Sequence, residues 1–258
     1  MHKLVKTIIR NKTRCVFVSP HPDDAIFSAG GLLSELAGRA PVKVINVFTT
    51  SGDNASTLSA KVFLRKCGAV SPQRLFEERK DEDRKALAVL KINPINMDKT
   101  DALWRKYESP SRLLTKAAKI LPEMISLYHT YRFHVCSGRL NKQDEILVAK
   151  LAEEISKYLP RDGNYLIFSP LGIGGHVDHL AVRRACEGFT PKVMYWSDYP
   201  YLLHNNPDEG FIRENKLKCR KLALNNFIKL KLAKMYKTQY HQVIRDPGTL
   251  TLPEIYYL

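Results

Sequence analysis

Two short stretches concentrate the residue types that bind a metal and move protons: His21-Pro22-Asp23-Asp24 and Gly174-Gly175-His176-Val177-Asp178-His179. Brought to one pocket, they offer two or three imidazoles and up to three carboxylates. A catalytic zinc takes three protein ligands from His, Asp or Glu and keeps a fourth position open for water, and His21, Asp24 and His179 could supply that set. The water must lose a proton before it attacks a carbonyl, and Asp23, next to a ligand but pointing a different way, is the candidate base. As an amide carbon turns tetrahedral, negative charge builds on its oxygen and calls for a positively polarised group opposite the metal. His176 is placed for that role, with Asp178 to hold its ring. Read singly, each turn has a plainer explanation, because Asp after a strand-to-helix turn often caps the helix, and His176 and His179 could be a surface and a core histidine. Two such turns at equivalent strand ends are much harder to explain that way. His2, His129, His134, His204 and His241 lack such company and are assigned no catalytic role.

For the two turns to meet, each must end a strand of the same sheet. Residues 15–20 form a short apolar run, and apolar residues then recur at helical intervals over 26–37, with Gly38 as a natural stop. Residues 42–48 are rich in β-branched side chains and end at the polar turn 49–53, which predicts a second buried strand. Residues 73–90 predict a charged amphipathic helix and 111–128 a helix interrupted near Pro122. Over 144–158, Ile146, Leu147, Leu151 and Ile155 share one helical face. Residues 131–139 match neither period. A buried strand at 165–169, a glycine-rich turn at 172–175, a helix at 178–186 and a strand at 192–196 follow. Strands alternating with helices predict a Rossmann-like α/β fold, a mostly parallel sheet with helices on both faces, as a single domain over 1–258. Ligands of such sheets bind beyond the carboxyl ends of the strands, where both turns fall.

With 44% hydrophobic and 26% charged residues and no repeat, the 258-residue chain has the composition of a soluble globular protein rather than a disordered or solenoid one. Its five cysteines are odd in number, scattered and without a C-x-x-C pair, which argues against a disulfide framework or a cysteine zinc site and for a reducing, cytoplasmic setting. Lys3, Lys6 and Arg10 interrupt the apolar positions of the start, and no apolar run reaches the roughly 18 residues of a spanning helix. The net charge of +15 raises a binding alternative. Between residues 211 and 237 nine Lys and Arg face one acid, Glu214, while Leu217, Leu224, Phe227, Ile228, Leu232 and Met235 recur at roughly helical spacing. This predicts a basic C-terminal helix that packs one face and solvates the other, as charge runs usually do. A non-enzymatic protein holding nucleic acid or an anionic surface through Lys229, Lys231 and Lys234 is the alternative; nucleic acid is not the expected partner.

The two turns resemble the PIG-L/LmbE family of zinc-dependent N-acetylglucosamine deacetylases, whose signature is a strand with a His-Pro-Asp-Asp turn and a later His-x-Asp-His turn. Val18-Ser19-Pro20-His21-Pro22-Asp23-Asp24, followed by Gly30-Gly31, is similar to the family's opening, and the run from Pro170 to His179 to its second metal segment. The resemblance implies that His21, Asp24 and His179 bind zinc, that Asp23 is the base and that His176 steadies the oxyanion. It also implies substrate contacts for Arg79, whose spacing to Glu82, Ala86 and Leu90 is kept, and for Asp101 in Asp101-Ala102-Leu103-Trp104-Arg105. Ala25 stands where many members carry glutamate and resembles the branch acting on sugars of antibiotics and other secondary metabolites. An insertion near 107–139 has no counterpart and is expected to shape the acceptor side of the pocket. Tyr195-Trp196-Ser197-Asp198-Tyr199 could give flat walls to a sugar ring. The expectation is one zinc, or another divalent ion, per chain, and hydrolysis of an N-acetylated amino sugar within a larger molecule to amine and acetate. Another amide or an ester stays open as substrate; a phosphoester is disfavoured, since no second ligand set is found.

Overall fold

Strand β1 (Arg14–Ser19) sends Cys15 and Phe17 to one face of the sheet and Val16 and Val18 to the other, and all four are buried, so the strand is sandwiched rather than half-solvated. The computed structural model describes residues 3–52, 56–108 and 110–258; His2 and the last residue of the turn at 49–53 lie outside them. Among the described residues β1 is joined by β2 (Val42–Thr50), β3 (Ile95–Thr100), β4 (Tyr165–Pro170), β5 (Val193–Trp196), β6 (Cys219–Leu222) and β7 (Glu254–Tyr257) in one sheet of order β3-β2-β1-β4-β5-β7-β6. The first five are parallel; β7 is antiparallel to β5 and to β6. The chain leaves β1 toward β2 on one side and returns to β4 on the other, so the point where the winding reverses lies between β1 and β4.

Helices α1 (Lys3–Arg10), α2 (Asp24–Leu36), α3 (Leu58–Lys66), α4 (Pro72–Val89), α5 (Arg112–Ala117), α6 (Asp144–Ser156), α7 (Val177–Glu187), α8 (Glu209–Glu214), α9 (Asn226–Ala233) and α10 (Lys237–Val243) complete the order. Side chains of α1, α2, α4 and α9 pack with Phe17, Phe168 and Trp196 on one face, and those of α6, α7 and α8 pack with Val16, Ile45 and Ile167 on the other. The expected Rossmann-like α/β sheet with helices on both faces is what the chain forms. No helix of the described residues is long and apolar enough to cross a membrane.

Two expected helices are corrected. The one over 111–128 stops at Ala117: Pro122 opens a separate 3-10 turn, Pro122–Ile125, and Ser126 bridges back to Lys106, so extended pairing replaces the last helical turns. The basic helix near 211–237 does not exist as one element. Lys216 at φ 52° lies just beyond α8, Cys219–Leu222 then pairs with β7 as the sheet edge, and Asn225 caps a new helix, α9. Tertiary pairing overrides the apolar spacing there. Lys229 is moreover buried and salt-bridged to Glu254 at 3.2 Å, which removes it from any basic surface.

That ion pair supports the helix carrying Asp24. α2 breaks at Ala29 (φ −129°, ψ 17°), and the carboxylate of Glu254 accepts the N–H groups of Gly31 at 2.7 Å and Leu32 at 3.1 Å, as well as the Tyr256 hydroxyl at 2.7 Å. A Cβ on Gly31 would stand 2.1 Å from Asn226 Oδ1, so only glycine lets α9 approach here. Glu254→Ala would strand the Lys229 charge and two helix N–H groups together, with an expected loss of about 3–5 kcal/mol. Urea denaturation of the variant beside the parent measures this; a loss under about 1 kcal/mol, the level of an exposed pair, would mean that the network does not hold α2.

Candidate active site and metal centre

Ser19, the last residue of β1, folds the first turn: its hydroxyl donates to the His21 carbonyl at 2.7 Å and accepts the Ala25 N–H at 3.0 Å. Asp23 occupies the N-cap position of α2, yet its side chain caps nothing. Asp23 Oδ1 accepts from Arg79 Nη2 at 2.9 Å, and both residues are buried. The plain capping explanation for Asp23 therefore fails. Asp24 turns the other way: its Oδ2 accepts the His21 N–H at 2.9 Å and lies 3.1 Å from His21 Nδ1 and 3.4 Å from His179 Nε2.

The second turn is bent by glycines. Gly174 at φ +86° adopts a left-handed conformation, and a Cβ there would meet the Tyr201 ring at 2.4 Å. His176 then caps α7, and His179 follows one turn into it. The donor atoms of His21, Asp24 and His179 all lie within 4.8 Å of one another. His21, His176 and Asp178 meet the same spacing, but Asp178 Oδ2 already accepts the Ala102 N–H at 3.0 Å and its Oδ1 is engaged by Arg105. The first set is the one its neighbours leave able to take an ion.

Each imidazole of that set has its far nitrogen on a buried carboxylate. His21 Nε2 is 3.1 Å from Asp178 Oδ2, and His179 Nδ1 is 2.7 Å from Asp198 Oδ1. Such a carboxylate fixes the tautomer, so that the near nitrogen presents its lone pair. Burial by itself pushes both imidazole pKa values down; Asp101, Asp178 and Asp24 outweigh it at His21 and hold it well above the ordinary value, and Asp24 and Asp198 raise His179. Burial likewise pushes Asp24 up, but His179 and His21 outweigh it and hold the carboxylate below its usual range. A donor set that attracts cationic charge this strongly fits a divalent metal, whose binding exchanges protons for the ion.

His176 and Asp23 flank the set and differ from it. Burial pushes His176 down to about 3, so its ring is neutral. His176 Nδ1 accepts the Asp178 backbone N–H at 3.2 Å, which places the ring proton on Nε2 as a donor. This corrects one expectation, since the Asp178 carboxylate orients His21, not His176. Burial raises Asp23, against the lowering pull of Arg79, and the nearby Asp24 charge adds to the rise; the net shift is upward.

These groups line a cavity of about 480 Å³, the size of a small-ligand site. His21, Asp23, Asp24, Arg79, Asp101, His176 and His179 all reach it, and Asp178 lies behind. Asp101 caps the Leu103 N–H through Oδ1 at 2.9 Å and sets Oδ2 3.4 Å from His21 Nε2. Of the expected aromatic wall, Tyr195 and Trp196 belong to the core, whereas Tyr199 and, beyond the stretch, Tyr201 and Tyr131 line the cavity. The lining includes none of His129, His134, His204 and His241.

Sequence reasoning misses three supports: Asp198, Arg105 and Asp144. Asp198 also accepts the N–H groups of Gly172 at 2.7 Å and Ile173 at 2.8 Å, pinning the glycine turn to His179. Arg105 links Asp178 to Asp144, contacting both Asp144 oxygens at 3.1 Å. The signal available for Asp198 is its place two residues past β5, the same edge of the sheet as the other turns.

A further carboxylate, Asp83, lies below this layer, where it accepts from Tyr236 Oη and Asn46 Nδ2, each at 2.7 Å. Burial pushes its pKa up to about 6. The folded form thus holds the proton more tightly than the unfolded chain: the penalty is absent below the ordinary carboxylate range and complete above about pH 6. Asp83→Asn is therefore expected to stabilise the fold at neutral pH by up to about 2–3 kcal/mol and to have little effect near pH 4. Asn46 Oδ1, which is buried without a partner, can accept from the new amide once the Asn46 amide turns over, and its contact with Asn96, now from Asn46 Nδ2 to Asn96 Oδ1 at 3.1 Å, is kept when the Asn96 amide turns with it. Denaturation of parent and variant at the two pH values checks this; equal stability differences at both would remove Asp83 as a titrating penalty.

Residues 16–189 match the model of the PIG-L family, described as GlcNAc-PI de-N-acetylase. The chain is 29% identical over 194 residues to the 2'-N-acetylparomamine deacetylase of Streptomyces fradiae, an alignment covering 73% of this chain and 57% of that relative's length. Among solved structures it shares its fold with the zinc-inhibited form of teicoplanin deacetylase Orf2 (TM-score 0.73, 21% identity, 95% of this chain and 97% of that one). It shares it also with the A40926 pseudoaglycone deacetylase Dbv21 (TM-score 0.67, 20% identity, 95% and 96%). With the family's model matching residues 16–189, more than half of the chain, and both histidine-aspartate turns inside the match, the chain belongs to the PIG-L family.

Proposed function

We propose that this protein is an N-deacetylase that hydrolyses the acetamide of an N-acetylated amino sugar, part of a larger molecule, to a free amine and acetate. The observation that carries the reading is the convergence on one cavity wall of three metal donors, a carboxylate outside the donor set and an imidazole N–H. His21, Asp24 and His179 would hold one zinc ion per chain, since two imidazoles and a carboxylate with an open position are the make-up of a catalytic zinc site. A bound zinc supplies Lewis acidity, lowering the pKa of water and polarising the acetamide carbonyl.

Asp23, with Oδ1 held by Arg79, keeps Oδ2 to take the proton of the attacking water. The water oxygen bonds to the acetyl carbon, the carbon–nitrogen bond breaks, and the proton on Asp23 passes to the departing nitrogen. His176 Nε2–H donates to the acetamide oxygen as charge gathers on it; because the ring is neutral, it acts as an aligned dipole rather than a cation. Arg79 and Asp101 are proposed to meet sugar hydroxyls, and Tyr199 and Tyr201 to pack on the ring. The relative that is a 2'-N-acetylparomamine deacetylase supports an amino sugar within a larger molecule.

The test is acetate release by the purified, zinc-loaded protein from free and conjugated N-acetylated amino sugars, with the new amine counted beside it. Equal amounts of acetate and amine are expected. Zinc-loaded protein that cleaves acetyl esters but no acetamide would replace the reading by an esterase.

A further inference from the structure

Apolar side chains stand in solvent on the rim of the cavity and on the stretches bonded to it. Helix α5 buries none of its residues; Leu113 is 80% and Ile120 91% exposed, and Leu121 and Met124 also stand in solvent. Leu58 and Val62 of α3 are exposed on the rim of the cavity they line, and Phe133 projects from the turn at 131–135. Hydrogen bonds from backbone N–H groups to side chains stitch these stretches together. Glu123 Oε1 accepts the Leu58 N–H at 2.6 Å, and Ser59 Oγ accepts the Tyr131 N–H at 3.2 Å. A single exposed leucine carries no message, but apolar side chains gathered on one continuous face mark an interaction surface.

The charges among them say what the surface fits. Lys61, Arg65 and Lys66 are exposed on α3, Arg112, Lys116 and Lys119 on the second stretch, and Arg132 on the third. The single acid of 58–66, 111–125 and 131–135 is Glu123, whose carboxylate is engaged by the Leu58 N–H. Exposed apolar side chains interleaved with cations match a partner that is oily inside and anionic outside, which is an acidic lipid surface. A second copy of a chain with net charge +15 would present the same cations and repel them.

We propose that this face docks peripherally on an anionic membrane, with Leu113, Ile120 and Phe133 entering the headgroup boundary and the cavity mouth turned toward the lipid. Binding of this kind is read without turnover, so it stands or falls apart from the deacetylase reading. The experiment is co-sedimentation of the full chain with phosphatidylcholine vesicles, with and without phosphatidylglycerol, over a salt series, beside sedimentation velocity of the protein alone. The wild type is expected to pellet with the anionic vesicles only and to release as salt rises. Leu113→Glu/Ile120→Glu, which changes two exposed residues outside the cavity lining, is expected to bind at least about tenfold more weakly with its melting temperature unchanged. Lys116→Glu/Lys119→Glu is expected to lose at least about 25-fold, near fivefold per cation. Wild type left in the supernatant at low salt, or a Leu113→Glu/Ile120→Glu protein that pellets like wild type, would overturn the proposal. So would self-association lost in that variant without any vesicle binding, which would make the face a copy-to-copy interface.

Discussion

Asp23→Asn is expected to keep about one zinc ion per chain while kcat for acetate release falls by roughly 10²- to 10⁴-fold, the range lost with a positioned acid–base group. The metal survives because Asp23 is not among the converging donors; it faces Arg79, whereas Asp24 faces the two imidazoles. Turnover falls because an amide cannot take the proton of the attacking water, and the nitrogen then leaves without one. Asparagine is the sharper substitution than alanine. It retains an oxygen for the Arg79 guanidinium, whereas Asp23→Ala strands that buried charge and mixes lost chemistry with lost stability. Near-normal turnover would remove Asp23 as the base. Loss of zinc along with turnover would instead make it a ligand.

What could be read in the sequence is what lies close together in it. His21 to Asp24 and His176 to His179 each carry their chemistry within four residues, and β1 and β4 are buried on both faces, so their apolar runs stand out. Their meeting follows from the alternation of strands and helices alone. Asp198 and Arg105 are different. They complete the site through contacts 19 residues away to His179 and 73 residues away to Asp178, and a lone Asp or Arg carries no period that announces such a partner. The Asp178 carboxylate has a nearer candidate in His176 by sequence and chooses His21, 157 residues off, because the turn aims it into the sheet edge. Elements at the sheet margins also escape the pattern. β3 carries Asp98 and Lys99 among its six residues, and β6 reads as helix because its edge position leaves Cys219, Arg220 and Lys221 in solvent. In both, pairing with a neighbour rather than local periodicity decides the conformation.

The sharpest test of the metal centre is a graded loss of zinc. His179→Ala removes a ligand and is expected to leave little zinc after dialysis. Asp198→Asn removes none, yet it is expected to weaken zinc binding by about 10- to 100-fold. The reason lies in the partners of Asp198: Oδ2 accepts two backbone N–H groups, from Gly172 and Ile173, while Oδ1 faces His179 Nδ1. An asparagine there must give its one carbonyl oxygen to the two backbone donors, so its NH₂ turns toward His179. Nδ1 then has to accept, the ring proton moves to Nε2, and the nitrogen facing Asp24 loses the lone pair that a metal needs. Elemental analysis of wild type, Asp198→Asn and His179→Ala, with competition against a chelator, orders the three. Wild-type affinity in Asp198→Asn would mean that this carboxylate does not set the tautomer. No zinc in the wild type itself would mean that His21, Asp24 and His179 are not a zinc site, and the deacetylase reading would fall with them.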